Sequence, residues 1–404
     1  MIPYYNVLYS LPYILVFIIL LFSSIPILQK DFSVVGLTIR KSFQYCLFSC
    51  SLFVFFGLRG FLFTDFVNYY PFFEACPSIW SSRADVIYFL THSEFSSWEK
   101  GFTLYVAAIK SICPNYFFFQ YISFIVDFVV LYAFFKSYLK TAFVLCFAFF
   151  LIFNGFVIEI NLLRNAKAIL LFLISIRFLE KRLYLKYILL NLIGATFHLS
   201  AFIYILCTPL YFIKFSKKAI VTLWIIGLIF FSLHIKWCIE LLRVIYPFLP
   251  GRMGVLIKVY INTTSGTFGL SIGFLERFVT FFLMYYYAFA KRAYVSEKRN
   301  KLFFNCIFFY LFLYLFFTEF PIIQDRVGTL FVFSYWILYP KLYTTLRKEF
   351  KVLFIVLFAF YGVLKLVSSN RFNIQCWDSC LSLKYDFYAR SKAVDVYFKE
   401  LHNK

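Results

Sequence analysis

The sequence predicts an all-α polytopic membrane protein. It reads as one integral membrane domain over residues 1–404, with about ten to twelve transmembrane helices and some partial, re-entrant elements. Three observations carry this. First, 63% of the 404 residues are hydrophobic and 61 are Phe, more apolar surface than a soluble core absorbs. Second, mean hydropathy is +0.81. Third, apolar runs of about 17–25 residues recur from end to end, separated by short basic clusters, and they lack the two-residue alternation of membrane β-barrel strands.

The net charge of +21 would otherwise suggest nucleic acid. Here the cations bunch between hydrophobic runs, as the positive-inside rule requires, so membrane lipid is the expected partner and nucleic acid is not. The ten Cys fall mostly inside apolar runs, where they act as small hydrophobes. No CxxC or Cys/His cluster has metal-ligand spacing, and no metal or cofactor is expected. Cys376 and Cys380 stand in the polar tail, close enough in sequence to pair. The first run, Leu11 to Leu28, lacks a basic n-region and an A-x-A cleavage site, so it reads as a retained span.

Helices are expected near 11–29, 42–58, 101–113, 116–135, 141–158, 160–178, 187–213, 219–235, 272–290, 302–318, 327–340 and 351–367. Polar segments lie at 59–100, 236–271 and, as a C-terminal tail, 368–404. Basic clusters such as Arg177–Lys186, Lys214–Lys218, Lys291–Lys301 and Lys341–Lys351 are assigned to the cytoplasm. The acidic segment 59–100 is then external, as is 236–271, and both termini face outward. Between Lys186 and Lys218 there are about 27 apolar residues. One span needs about 20 and two need about 40. The element 187–213 therefore either breaks and re-enters near "ATFHLS", the favoured reading, or crosses once against the charge rule. The run 101–113 is too short to cross and should dip in from outside.

Charged residues in apolar surroundings mark candidate sites. Arg164 and Lys167 fall in the first turns of a helix whose N-terminus faces out, where the helix dipole repels them and they repel each other. They either hold an anion such as phosphate or snorkel to the headgroups. Arg59, Arg277 and Arg326 also lie at or near the external face, opposite to the side the charge rule prefers. His198 is either a packed core histidine or a base for an attacking hydroxyl. Asp65, with Asn68, Tyr69 and Tyr70, combines acid, amide and aromatic groups that suit a sugar, and equally suit an interfacial aromatic belt.

The blocks "RGFLFTDFVNYYPFF", "WEKGFTLYVAAI", "NGFVIEINLLRNAKAILLFLIS" and "DRVGTLFVFSYWILYP" resemble, in order, those of the EpsG family of Wzy-type polysaccharide polymerases. The likeness runs over about 45–350. It departs where the usual EPG reads Glu99–Lys100–Gly101 and the usual RQ reads Arg164–Asn165. The resemblance implies an inverting, metal-independent glycosyltransferase of GT-C-like architecture at the outer, periplasmic face of the bacterial inner membrane. Donor and acceptor would be undecaprenyl-diphosphate-linked glycans, as in O-antigen synthesis, with a chain-length-regulating co-polymerase as a further partner. On that reading Arg164, Arg326, Arg59, Arg277 and Lys167 hold the diphosphate. His198 or Asp65 deprotonates or orients the acceptor hydroxyl, and Tyr69, Tyr70, Asn68 and Glu99 contact glycan. An O-antigen ligase, or a non-enzymatic transporter or flippase of lipid-linked sugars, are the alternatives.

Overall fold

The computed structural model describes residues 3–28, 41–206, 208–248, 261, 269–296, 298–320 and 326–402. Helices make up the described residues, with two isolated β-bridges and no strand among them. The chain divides into two compact units, 1–202 with 339–404, and 203–338. Each is described by itself.

The larger unit opens with α1 (Leu11–Leu28) and α2 (Lys41–Leu52), which continues through a π-helical turn at Phe53–Gly57. The polar stretch 59–100 is helical in part, as α3 (Phe66–Ala75) and α4 (Arg83–His92). There follow α5 (Lys100–Lys110), α6 (Tyr116–Tyr138), α7 (Phe143–Phe150), α8 (Phe156–Ile160), α9 (Leu163–Glu180) and α10 (Tyr184–Ala195). Between α7 and α8 the backbone breaks at Asn154, whose φ is 69°. Phe153 also leaves helical geometry there, with φ −103° and ψ 76°, so α7 and α8 meet at a kink.

The described residues confirm fewer than the expected ten to twelve spans. Among the described residues four helices are long and apolar enough to cross a bilayer: Val7–Ser24, Tyr116–Tyr138, Phe143–Ile160 and Lys348–Ser369. A fifth arises if Lys217–Ser232 and Trp237–Phe248, bent by 79°, count as one. The shortfall has a local cause. Apolar runs are cut into shorter helices by breaks, as at Phe43–Gly57, Tyr184–Ala195 and Leu199–Phe212. α9 has the length but carries Arg164, Lys167, Arg177 and Glu180.

The expected break near "ATFHLS" is present: α10 stops at Ala195, and a 3-10 turn over Leu199–Ala201 follows. The short element α5 is docked there. The N–H groups of Gly101 and Phe102 both donate to the carbonyl of Thr196, at 2.9 and 3.3 Å. Gly101 is required for that approach, because a Cβ on it would lie 2.1 Å from Thr196 Oγ1 and 2.7 Å from the Thr196 carbonyl oxygen.

A buried ion pair fixes α9 against α6. Lys167, 5% exposed, donates to both carboxylate oxygens of Asp127 at 2.5 Å and to the Ser123 carbonyl at 3.1 Å. These three acceptors use all three of its N–H groups. Asp127 in turn shares a side-chain hydrogen bond with Glu159 of α8. The expectation that Lys167 holds a diphosphate is therefore at odds with its surroundings, since its anion is a protein carboxylate. Two turns further along α9, Asn191 of α10 donates to Ser175 Oγ at 3.0 Å.

The tail also folds. Gly60, Phe63 and Cys380 pair through their backbones with Asp378, Ile374 and Leu58, at 2.8, 2.8 and 2.9 Å. Asn6 and Asn373 pair with Arg371 and Tyr4, each at 2.9 Å. The N-terminal segment and the tail thus lie on the same side as residues 58–63. Arg390, 1% exposed, closes the tail on the carbonyls of Cys376 and Asn373. Cys376 and Cys380 are both free.

In the smaller unit, α11 (Lys217–Ser232) is followed by α12 (Trp237–Ile245), whose early N–H groups, those of Cys238 and Ile239, donate to the Glu319 carboxylate. The expected external segment 236–271 lies mostly outside the described residues beyond Phe248.

Two substitutions test this framework. Lys167→Met strands the Asp127 carboxylate in the core and should cost roughly 3–5 kcal/mol, seen as a lower melting temperature in detergent. Adding Asp127→Leu should recover much of it, whereas an unchanged melt for the single variant would remove the pair as a constraint. Gly101→Ala would gain about 0.5–1 kcal/mol in an ordinary helix. Here it should instead lower the melting temperature, because the added methyl meets Thr196.

Candidate functional site

The start of α9 is where chemistry-bearing residues from four separate stretches meet. Asn161, one residue past α8, organises them. Its Oδ1 accepts from the backbone N–H of Thr64 at 3.1 Å, the backbone N–H of Asp65 at 2.8 Å and the Thr64 hydroxyl at 3.2 Å. The "FTDF" turn before α3 is thereby held beside the first turn of α9, and Asp65 stays half-exposed.

Arg164 is the second residue of α9. Its Nη1 donates to Glu99 Oε2 at 2.7 Å, and its guanidinium carbon lies 4.2 Å from the centre of the Trp98 ring. Trp98 is itself stacked on Phe72 at 4.3 Å and 11°, so the platform is rigid. The Tyr69 hydroxyl faces the same group, with the Arg164 backbone N–H 3.5 Å away and a further side-chain bond to the guanidinium. Burial is the main cause that pushes the Tyr69 phenol up to about 12, which keeps it neutral and able to donate. Arg164 Nε is buried with no hydrogen-bond partner. An arginine held by one face and one edge, with a donor left over, is a half-built anion site.

His198 sits at the break after α10. Its Nδ1 accepts from the backbone N–H of Ser200 at 3.2 Å and lies 2.7 Å from the Ser200 hydroxyl. Ser200 Oγ reaches Asn165 Oδ1 at 3.0 Å, so the break is tied to the residue after Arg164. The Ser200 N–H and hydroxyl together hold the His198 ring at the break.

The remaining expected site residues fall elsewhere. Arg59 is 2% exposed and donates to the carbonyls of Phe56 and Glu159, so it ties α2's end to α8. Tyr69 is 4% exposed and serves Arg164, so it offers no free ring face. Tyr70 packs on Phe387 at 4.7 Å and on Tyr116 at 5.2 Å. Asn68 is exposed. Arg277 and Arg326 belong to the smaller unit. There Arg277 donates to Gly273 O at 2.8 Å and Tyr310 Oη at 2.7 Å, with Tyr314 4.1 Å from its guanidinium carbon. Arg326 is exposed.

Sequence reasoning missed Trp98, Asp127, Glu159 and Asn161. Asp127 carried a usable signal, being the one acid inside the apolar run 116–138, where an ionisable group needs a partner. No cluster of three or more His, Cys, Asp or Glu among the described residues is arranged to hold a metal ion.

No curated protein and no solved structure matches the chain, so the GT-C likeness rests on the resemblance alone. The EpsG family does match, over residues 42–382. That range takes in the 59–73 block, Trp98–Glu99, the start of α9, His198 and the tail segment clasped on 58–63. The chain belongs to the EpsG family and is a membrane protein of polysaccharide biosynthesis.

Proposed function

We propose that this protein is a polysaccharide polymerase of the Wzy type, joining undecaprenyl-diphosphate-linked repeat units at the outer face of the inner membrane. Membership of the EpsG family, which is associated with such polymerases, supports the reading. The observation that carries it in the molecule is Arg164, a guanidinium held against Trp98 with an unused Nε.

In the proposed reaction a hydroxyl of the acceptor sugar attacks the anomeric carbon of the donor glycan. The bond from that carbon to the lipid diphosphate breaks, and in-line displacement inverts the centre. Negative charge develops on the departing diphosphate, and Arg164 stabilises it. Charge stabilisation of this kind is usually the largest catalytic contribution. Asp65, half-exposed beside Asn161, takes the hydroxyl proton. His198, whose ring is held by Ser200, orients the acceptor.

The test is the purified protein in proteoliposomes with lipid-linked repeat units. The expected product is a ladder of glycans on lipid diphosphate. Transfer to a lipid A core instead would make it a ligase, and no new glycosidic bond would favour a transporter. Arg164→Ala should cut polymerisation by about 10²–10³-fold, the usual effect of losing one donor to a developing oxyanion. Unchanged chain lengths would remove Arg164 from the diphosphate.

A further inference from the structure

Arg164 and Lys167 are one turn apart on α9, and each has a carboxylate, but the two pairs are built differently. Lys167 and Asp127 have side chains 5% and 1% exposed, and every ammonium N–H is used. Arg164 and Glu99 have side chains 26% and 15% exposed. The Glu99 carboxylate has Arg164 as its one hydrogen-bond partner among the described residues. Glu99 occupies the N-cap position of α5 yet makes no side-chain cap bond. Its position is set by backbone: the next N–H groups of α5, from Gly101 and Phe102, dock on Thr196. Moving the Glu99 carboxylate away therefore breaks one contact only and leaves α5 in place. The guanidinium would also stay in place, because Trp98 and Tyr69 hold it independently.

We propose that Glu99 is an exchangeable counter-ion for Arg164. A diphosphate ligand takes the guanidinium from it, and the return of Glu99 to Arg164 expels the spent lipid diphosphate. This rests on the polymerase reading for the identity of the ligand. With Glu99 in place the pair is neutral, so an anion must compete with a carboxylate and binds more weakly than a bare guanidinium would allow. That weakness serves turnover. Each glycosyl transfer leaves a lipid diphosphate on Arg164, which must depart before the next donor enters, and affinity differences between related complexes lie mostly in the dissociation rate. No bond to Glu99 forms or breaks; it changes partner from Arg164 to water and back.

The experiment titrates farnesyl diphosphate into the full chain in nanodiscs, with dissociation followed by stopped flow. Glu99→Gln keeps shape and removes charge. It should tighten binding by about two- to fivefold, the span expected for a partly exposed ion pair, and slow dissociation by a similar factor. Glu99→Ala should shift both in the same direction, and melting curves confirm that each variant is folded. In the polymerisation assay, added undecaprenyl diphosphate should inhibit Glu99→Gln at lower concentration than wild type. Binding by Glu99→Gln that is unchanged or weaker overturns the exchange, because Glu99 is then a prop for Arg164 or irrelevant to the ligand. Arg164→Ala separates the two readings. If it loses farnesyl diphosphate while Glu99→Gln is silent, the diphosphate role of Arg164 survives without the exchange. If Arg164→Ala binds as wild type does, the diphosphate site itself fails, and the exchange with it.

Discussion

An ammonium group inside an apolar bundle cannot stand without an anion, and Lys167 imposes that demand on the larger unit. Taking the charge out of water costs several kcal/mol, which is offset only by a close, well-bonded partner. Asp127 meets the condition with two oxygens and Ser123 with a third acceptor. Three helices are thereby bound together: α9 through Lys167, α6 through Asp127 and, through the shared hydrogen bond, α8 through Glu159. The register of α9 against α6 decides where Arg164 emerges, one turn above the lock and within reach of Glu99. The buried pair is thus structural, and its placement makes the more exposed pair available for ligand chemistry.

The second organising feature is that α-helices here stop or bend where polar backbone is put to use. After α10 the break exposes the Thr196 carbonyl, and α5 docks on it through N–H groups that any helix start leaves unpaired. Irregular backbone at such depth is tolerated only where protein satisfies it, and Gly101 is the residue that lets the two backbones come close enough. The same docking carries Glu99 to Arg164 from one side, while the Ser200–Asn165 bond carries His198 toward it from the other. One break therefore serves both candidate chemical groups.

Much of this was legible in the sequence, and the reasons are specific. The break at 196–198 followed from counting apolar residues between two basic clusters, a one-dimensional constraint. Arg164 and His198 were singled out as ionisable groups in apolar runs, Asp65 for its amide and aromatic neighbours and Glu99 through the family resemblance, and all four lie around α9's start. The partners were not legible in the same way. Asp127 is 40 residues from Lys167 and Glu99 is 65 from Arg164, so neither pairing has a local spacing to reveal it. Arg59 looked like its fellow arginines, yet only its surroundings, two backbone carbonyls, mark it as a tie between helices. The tail read only as polar, because its docking comes from backbone pairing with 58–63, which leaves no side-chain pattern. The span count was less legible, because hydropathy registers apolar length and is blind to the breaks that leave shorter helices such as Tyr184–Ala195.

The contrast between the two cations on α9 shows how exposure, rather than charge, sorts structure from function. Both have a carboxylate within 2.7 Å. For the buried pair, separation would leave two uncompensated charges in a low-dielectric interior, so the pair is permanent on any timescale relevant to a reaction. For the more exposed pair, water can solvate a released carboxylate, and a partly exposed bridge contributes little net stability. Only the second can exchange one anion for another at small cost. A site that must grip a diphosphate and then release it needs a guanidinium with that property, and the aromatic platform of Trp98 supplies the remaining requirement: Arg164 keeps its position while its counter-ion changes.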